Sequence, residues 1–181
     1  MSGRRAPTEE LPGELILWVL IISEIAVFAV GLWLFLALRL HDPAMFATGR
    51  AELHPIAAGI NTVVLVSSGY AAARAHHACL KGAPARAWLL LAAGLGAVFI
   101  AIKAFEYGDL FSRGIGIETN VFFTFYFLLT GFHAAHVIAG MIILLIVAIR
   151  PQPQPVQAGA QFWHMVDLVW MLLLPVVYLM G

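Results

Sequence analysis

Mostly apolar stretches follow one another along the chain, separated by short segments that contain helix-breaking residues. They cover roughly residues 15–38, 56–75, 86–104, 121–149 and 162–180. About 20 apolar residues in a helix cross the ~30 Å hydrocarbon core of a bilayer. The pattern therefore predicts an all-α, polytopic membrane protein built as a five-transmembrane-helix bundle.

The composition agrees with this pattern. The chain has 181 residues, of which 62% are hydrophobic and only 11% are charged, and its mean hydropathy is +0.92. Soluble domains carry about 25% charged residues. The connecting segments are too short to fold separately, so we expect residues 1–181 to form a single transmembrane domain. The first apolar stretch is longer than the core of a signal peptide, and no clear small-residue cleavage site follows it, so we expect it to be retained.

The distribution of Lys and Arg predicts an orientation. With the N-terminus inside, six of these residues fall in cytoplasmic segments and four in outer segments. Cytoplasmic loops of membrane proteins carry the excess of positive charge. We therefore expect a cytoplasmic N-terminus and a periplasmic C-terminus in a bacterial inner membrane. The net charge of zero and the lack of a basic cluster argue against nucleic-acid partners.

Ionisable side chains interrupt three of the apolar stretches. Glu24 lies near the middle of the first, and His133 and His136 lie near the middle of the fourth. His164 and Asp167 lie in the fifth, at a depth we place nearer the cytoplasmic side. The paired residues are three apart and so share one helix face. Because a charged group costs about 2.5–3.5 kcal/mol at the centre of a membrane helix, all of these groups need partners.

These groups admit several interpretations. Glu24 suits either a buried hydrogen bond between helices or the handling of protons. Neutral imidazoles three apart can bind a metal, but carboxylate-bridged di-iron bundles use repeated Glu-x-x-His motifs, which the chain lacks. The different depths of the groups favour contacts between helices or subunits over one coordination sphere. We therefore predict that this chain binds no metal.

Other polar residues lie within or near the second and third stretches. Lys103 and Glu106 are three apart, and we predict an exposed ion pair at the end of the third helix or a contact with a lipid head group or partner. In the second stretch, Asn61 shares a face with Leu65, Ser68 and Ala72, and we expect that face to meet another helix. Small residues four apart in the third stretch, such as Ala92 and Gly96, allow close helix packing.

Polar motifs occur in a fixed order on the five stretches, and in that order the chain resembles the haem–copper oxidase (cytochrome c oxidase) subunit III family. The motifs are Ser23-Glu24, Asn61-Thr62 with Ser67-Ser68-Gly69, Lys103-Ala-Phe-Glu106-Tyr107, Gly131-Phe-His133-Ala-Ala-His136-Val, and Trp163-His164-Met-Val-Asp167 with Trp170. The resemblance runs from about Glu14 to Tyr178. Within the family, Lys103 to Gly108 and the Trp-His-Met-Val-Asp-Leu run are most similar to the short, five-helix NorE type associated with nitric oxide reductase.

The resemblance implies a non-catalytic subunit that supports assembly, stability and proton uptake of a catalytic partner. It implies no cofactor in this chain, haem with copper or non-haem iron in the partner, and bound phospholipid. Glu24, His133, His136, His164 and Asp167 match the family's intramembrane polar or subunit-contact positions. Lys103, Glu106 and Asn61 are expected to contact lipid or the partner.

Other functions remain open from the residues. The first is a subunit III of an aerobic cytochrome c or quinol oxidase rather than of a denitrification complex. The second is a self-contained membrane metal or haem protein that uses His133, His136 and His164. The third is a proton-coupled transporter that uses Glu24 and His133, although the chain shows no internal repeat.

Overall fold

A computed structural model describes the backbone of residues 11–180 and the side chains from Leu15 to Met180. Only helices occur within this part of the chain. They are α1 (Leu11–His41), α2 (Pro43–Ala51), α3 (Pro55–Leu80), α4 (Arg86–Ser112), α5 (Val121–Ile149) and α6 (Pro153–Leu174), followed by a π-helical turn at Pro175–Leu179. All except α2 and the turn are long and apolar enough to cross a membrane, which confirms the five-helix prediction.

Two helices are longer than the sequence predicted. α4 continues to Ser112, although we had ended it at residue 104, and α6 begins at Pro153 instead of residue 162. The extension of α4 contains Glu106, whose side chain is buried. Pro153 and Pro155, which precede the predicted fifth span, occupy the first turn of α6. The first N–H groups of a helix have no partner inside it, so proline is tolerated there.

The short helix α2 was not predicted, because its nine residues are too few and too polar for a membrane span. Asp42 caps it, since its side chain accepts a hydrogen bond from the Met45 backbone N–H at 3.0 Å. Pro43 follows at the first helical position, where its fixed backbone angle suits a helix. Phe46 anchors α2 to the bundle and is fully buried against Phe35 and Phe122.

The connections of the helices define two ends of the bundle. The α1–α2, α2–α3 and α4–α5 connections lie at one end, which we call the Arg113 end. The α3–α4 and α5–α6 connections lie at the other, which we call the Cys79 end. At the Arg113 end, Arg113 binds the Glu52 carboxylate at 2.7 Å and Asp109 at 2.9 Å. The Arg50 side chain donates to the Leu179 carbonyl at 2.8 Å, so α2 is tied to the last turn of the chain.

α6 is the central helix of the bundle. It packs against α3, α5 and α1, and 56% of its most apolar window is buried. The principal contacts of α1 are with α5, α6 and α2, and only 17% of its most apolar segment is buried. The face of α3 with Asn61, Leu65, Ser68 and Ala72 is buried, as predicted. A four-helix core of α3 to α6 therefore carries α1 on one side.

Close packing around Trp163 holds this core together. The Trp163 side chain is completely buried in mid-bundle, since α6 begins nine residues before the predicted start of the fifth span. Gly96 of α4 and Gly140 of α5 lie against its ring. A Cβ atom would be 2.7 Å from the ring at Gly96 and 2.6 Å from it at Gly140. The small residues predicted in α4 thus make room for a tryptophan of α6.

Candidate functional site

Lys103 and Glu106 form a buried ion pair. The Lys103 Nζ donates to Glu106 Oε2 at 2.9 Å, and each side chain is only 2% exposed. The prediction of an exposed pair at a helix end was wrong, because α4 extends two further turns and α5 and α6 cover the pair. A lipid head group cannot reach it in this arrangement. In low-dielectric surroundings such a pair needs additional hydrogen bonds to offset desolvation.

Two tyrosines supply those hydrogen bonds. The Lys103 ammonium also donates to Tyr126 Oη at 3.1 Å and to Tyr178 Oη, so all three of its protons are used. Tyr178 in turn donates to Glu106 Oε1 at 2.9 Å. We call these four residues the lysine cluster. It joins α4, α5 and the last turn of the chain, and within the described chain it leaves no ammonium proton unpaired.

Glu24 and His136 join α1 to α5. The Glu24 Oε2 atom is 3.0 Å from His136 Nε2, and the side chains are 26% and 15% exposed. The other ring nitrogen, Nδ1, is 2.9 Å from the Phe132 carbonyl. A carbonyl only accepts hydrogen bonds, so Nδ1 carries a proton. The hydrogen bond between Nε2 and Oε2 then needs one further proton, on either the imidazole or the carboxyl.

His133 is separate from this pair although it lies only three residues away. It is completely buried, and neither ring nitrogen has a hydrogen-bond partner in the described chain. Its ring stacks on Trp170 at 5.3 Å between centroids and meets the edge of Phe99 at 5.6 Å. His133 thus points into the aromatic core of the bundle, whereas His136 points to α1.

His164 and Asp167 lie on α6. The His164 side chain is 47% exposed, and its Nδ1 is 3.7 Å from Asp167 Oδ2. Asp167 packs against Gly69 of α3, and its Oδ1 has no described partner. Because α6 starts at Pro153, His164 lies about 16 Å along the helix at ~1.5 Å per residue. It is therefore near the middle of the span, two residues to the Cys79 side of the central Val166. The predicted depth nearer the cytoplasmic side stays a prediction.

α3 contacts its neighbours through side-chain hydrogen bonds. Asn61 donates to the Phe99 carbonyl at 3.4 Å, so this predicted lipid or partner contact is a buried contact between helices. Trp163 donates to Ser68 Oγ at 2.9 Å. Trp170 donates to Thr62 Oγ1 at 3.0 Å. The indole donors explain why α3 carries hydroxyls at these positions.

The predicted polar residues come together as pairs and not as one site. Glu24 meets His136, His164 approaches Asp167, and Lys103 meets Glu106, while His133 stands alone among aromatic rings. Within residues 11–180, no three His, Cys, Asp or Glu side chains are grouped so as to hold a metal ion. Sequence reasoning missed Tyr126 and Tyr178 as partners of Lys103. Both tyrosines lie at the Arg113 end of the bundle, level with Lys103, and this shared level could have indicated the contact from the sequence.

Comparison with known proteins gives a consistent result. The family described as "Cytochrome c oxidase subunit III" matches residues 9–181. A cytochrome c oxidase subunit 3 of Synechocystis sp. is 31% identical over 172 residues, which are 88% of this chain and 72% of that protein. The Corynebacterium diphtheriae protein of the same name is 35% identical over 72% of this chain and 68% of its own length. The Mus musculus protein of that name is 32% identical over 89% of this chain and 67% of its own length.

Proposed function

This chain belongs to the cytochrome c oxidase subunit III family, and we propose that it is the non-catalytic subunit III of a respiratory haem–copper oxidase that reduces oxygen. The family match along residues 9–181 is the observation that carries the proposal. In this role the chain supports the assembly, stability and proton uptake of a haem-bearing catalytic subunit. The partner, not this chain, holds haem and copper.

The preference for an oxygen-reducing partner differs from our expectation from the sequence. The run from Lys103 to Gly108 favoured the NorE type and nitric oxide reduction. The relatives reported above all bear the name of an oxidase subunit, and they give the NorE type no support. An aerobic oxidase is therefore the first choice, and a denitrification complex stays a prediction that an assay decides.

The experiment is purification of the tagged chain from native membranes in mild detergent. The co-purifying proteins are identified by mass spectrometry, and the preparation is assayed for consumption of oxygen and of nitric oxide. We expect a large haem-bearing subunit and oxygen consumption. Nitric oxide consumption without oxygen consumption would favour the NorE type, and a preparation without any haem-bearing partner would refute the proposed function.

We also propose that the chain lies in the bacterial inner membrane with the Cys79 end in the cytoplasm. Arg74, Lys81, Arg86 and Arg150 lie at that end, which fits the usual bias of positive charge. Cys79 is half-buried and is the only cysteine. A small membrane-impermeant maleimide should label it in inverted vesicles and not in intact spheroplasts, and the reverse result would contradict this orientation.

A bound phospholipid remains part of the proposal. An apolar cavity of about 220 Å³ lies between α1 and α5, lined by Val27, Phe28, Gly31, Leu128, Leu129 and Phe132. Phe28 and Phe132 also contact the His136 ring, at centroid distances of 5.6 and 4.6 Å. The cavity is suited to part of an acyl chain beside the Glu24–His136 pair. Lipid analysis of the purified complex tests for phospholipid that remains bound after delipidation.

A further inference from the structure

Arg74 of α3 lies on the outer surface of the bundle against two aromatic rings. Its guanidinium carbon Cζ is 5.1 Å from the centre of the Trp88 ring of α4 and 6.0 Å from the centre of the Tyr70 ring. The Arg74 Nη1 atom donates to Tyr70 Oη at 3.3 Å. Trp88 packs partly against the core, whereas Arg74 and Tyr70 are exposed. The two rings therefore position the guanidinium and leave its other N–H groups without an acceptor in the described chain.

The two helices place this guanidinium near the membrane surface. The middle of α3 falls between Ser67 and Ser68, so the Arg74 backbone is ~10 Å from it at ~1.5 Å per residue. The middle of α4 is Phe99, and Trp88 is ~16 Å away toward the Cys79 end. The hydrocarbon core extends about 15 Å to either side of its centre. The Arg74 side chain thus rises out of the hydrocarbon and carries its charge to the level of the lipid phosphates.

No carboxylate of the described chain neutralises Arg74. Among the side chains from Leu15 to Met180, every Asp and Glu lies near the middle of a span or at the Arg113 end. Arg113 shows the alternative, since it binds Glu52 at 2.7 Å and Asp109 at 2.9 Å. Arg74 therefore presents an unpaired cation to an anion from outside these helices.

We propose that Arg74 and Trp88 bind the phosphate of an anionic phospholipid in the leaflet at the Cys79 end. A planar guanidinium can donate two parallel hydrogen bonds to one phosphate, and its other face stays stacked on the indole ring. Lys81, Arg86 and Arg150 lie at the same end. Their added positive charge favours a head group with a net negative charge over a zwitterionic one. We call this the Arg74 lipid site.

The surface below the Arg74 lipid site suits acyl chains. Ile60 and Val63 continue the face of α3 that carries Arg74 and are 53% and 68% exposed. Leu91, one turn from Trp88 on α4, is 48% exposed. A phosphate contact above an apolar surface matches a phospholipid along its length. None of these residues lines the cavity between α1 and α5, so the two lipid sites are separate. The inference does not rest on the proposed function.

The test measures binding of phosphatidylglycerol to the full chain, purified from native membranes with the subunits that accompany it and then delipidated. Native mass spectrometry counts the bound lipid. Phosphatidylcholine tests the need for negative charge, and inorganic phosphate in large excess tests whether the phosphate alone suffices. We expect Arg74→Gln to weaken phosphatidylglycerol binding about fivefold, the equivalent of about 1 kcal/mol for one basic residue at an anionic surface.

Two further variants make the test specific. Lys81→Gln is the matched control, because it removes an exposed positive charge from the same end of the bundle. It should weaken binding less than about twofold, since a diffuse attraction depends little on any one charge. Trp88→Leu keeps Arg74 but removes the ring that positions it. It should weaken binding about threefold, the size of an exposed cation–π contact.

Each remaining outcome would overturn the Arg74 lipid site. Equal losses in Arg74→Gln and Lys81→Gln would show a diffuse attraction without a site. Phosphatidylcholine bound as tightly as phosphatidylglycerol, or displacement of the lipid by inorganic phosphate, would contradict an anionic phospholipid as the ligand. Full binding by Arg74→Gln would refute the proposal directly. If that variant loses helicity, full binding by a folded Trp88→Leu variant refutes it instead.

Discussion

The lysine cluster and His164 of α6 place polar groups in the same bundle in opposite ways. In the lysine cluster, one ammonium, one carboxylate and two phenols pair with one another and are shielded from the surroundings. By contrast, His164 is half exposed and has no hydrogen bond to the described chain. The first arrangement is complete within one chain. The second leaves a polar side chain open at the surface of the described chain.

The difference separates residues whose hydrogen bonds hold the fold from a residue that the fold leaves without a hydrogen bond. Removing Lys103 or Glu106 leaves the other charge buried and unpaired, which damages the fold itself. Changing an open group such as His164 removes no hydrogen bond of the described chain, so we expect it to leave the bundle intact. The Glu24–His136 pair lies between these cases, because it joins two helices but remains partly exposed.

The largest effect is expected from Lys103→Met. It leaves the Glu106 carboxyl buried without its cation and should lower the free energy of unfolding by about 3–5 kcal/mol. The double variant Lys103→Met with Glu106→Leu removes both charges and should recover much of this loss. Unfolding of the detergent-solubilised protein by SDS measures both. If the Lys103→Met variant were as stable as the unsubstituted chain, the lysine cluster would not stabilise the fold, and its contrast with His164 would be lost.

Tyr178→Phe should have the next largest effect. The hydroxyl accepts from Lys103 and donates to Glu106, and hydrogen bonds to charged groups are worth about 1.5–3 kcal/mol. The same unfolding measurement applies. Tyr70→Phe is a matched control, because that hydroxyl is exposed and accepts only from the side chain of Arg74 at 3.3 Å. Equal losses in the two variants would show that burial of the hydroxyl does not matter.

Gly140→Ala tests the packing of the core that carries the lysine cluster. The new Cβ would be 2.6 Å from the Trp163 ring, and overpacking of this kind costs about 1–3 kcal/mol. Gly94→Ala is the control, since nothing lies within 4 Å of a Cβ there and alanine favours a helix by up to about 1 kcal/mol. A stabilised Gly140→Ala variant would contradict the described packing of Trp163.

Glu24→Ala should change the stability of the chain least. An interhelical hydrogen bond in a membrane averages about 0.6 kcal/mol, and this one is partly exposed. The variant should instead weaken assembly or shorten sustained turnover of the complex, while electron transfer continues. The measurement is oxygen consumption over successive turnovers of the purified complex. Loss of all redox activity in a normally assembled complex would count against a supporting role.

The sequence predicted the spans well and the partners poorly. Apolar runs located all five spans, because burial in lipid acts on each helix separately. The predicted end of α4 and the predicted start of α6 were wrong, because a charged residue such as Glu106 and the prolines at 153 and 155 are typical of loops. Pairing depends on rotation and offset between helices, which a single sequence does not give. For that reason Glu24 with His136 and Tyr178 with Lys103 emerged only from the structure.

The central claim, that this chain supports a haem-bearing partner and carries no haem itself, has one direct test. The purified complex is dissociated, its subunits are separated without denaturing haem, and the Soret absorbance of each fraction is measured. We predict that the absorbance stays with the catalytic subunit and that the fraction containing this chain has none. A Soret band in stoichiometric amount with this chain would contradict the claim.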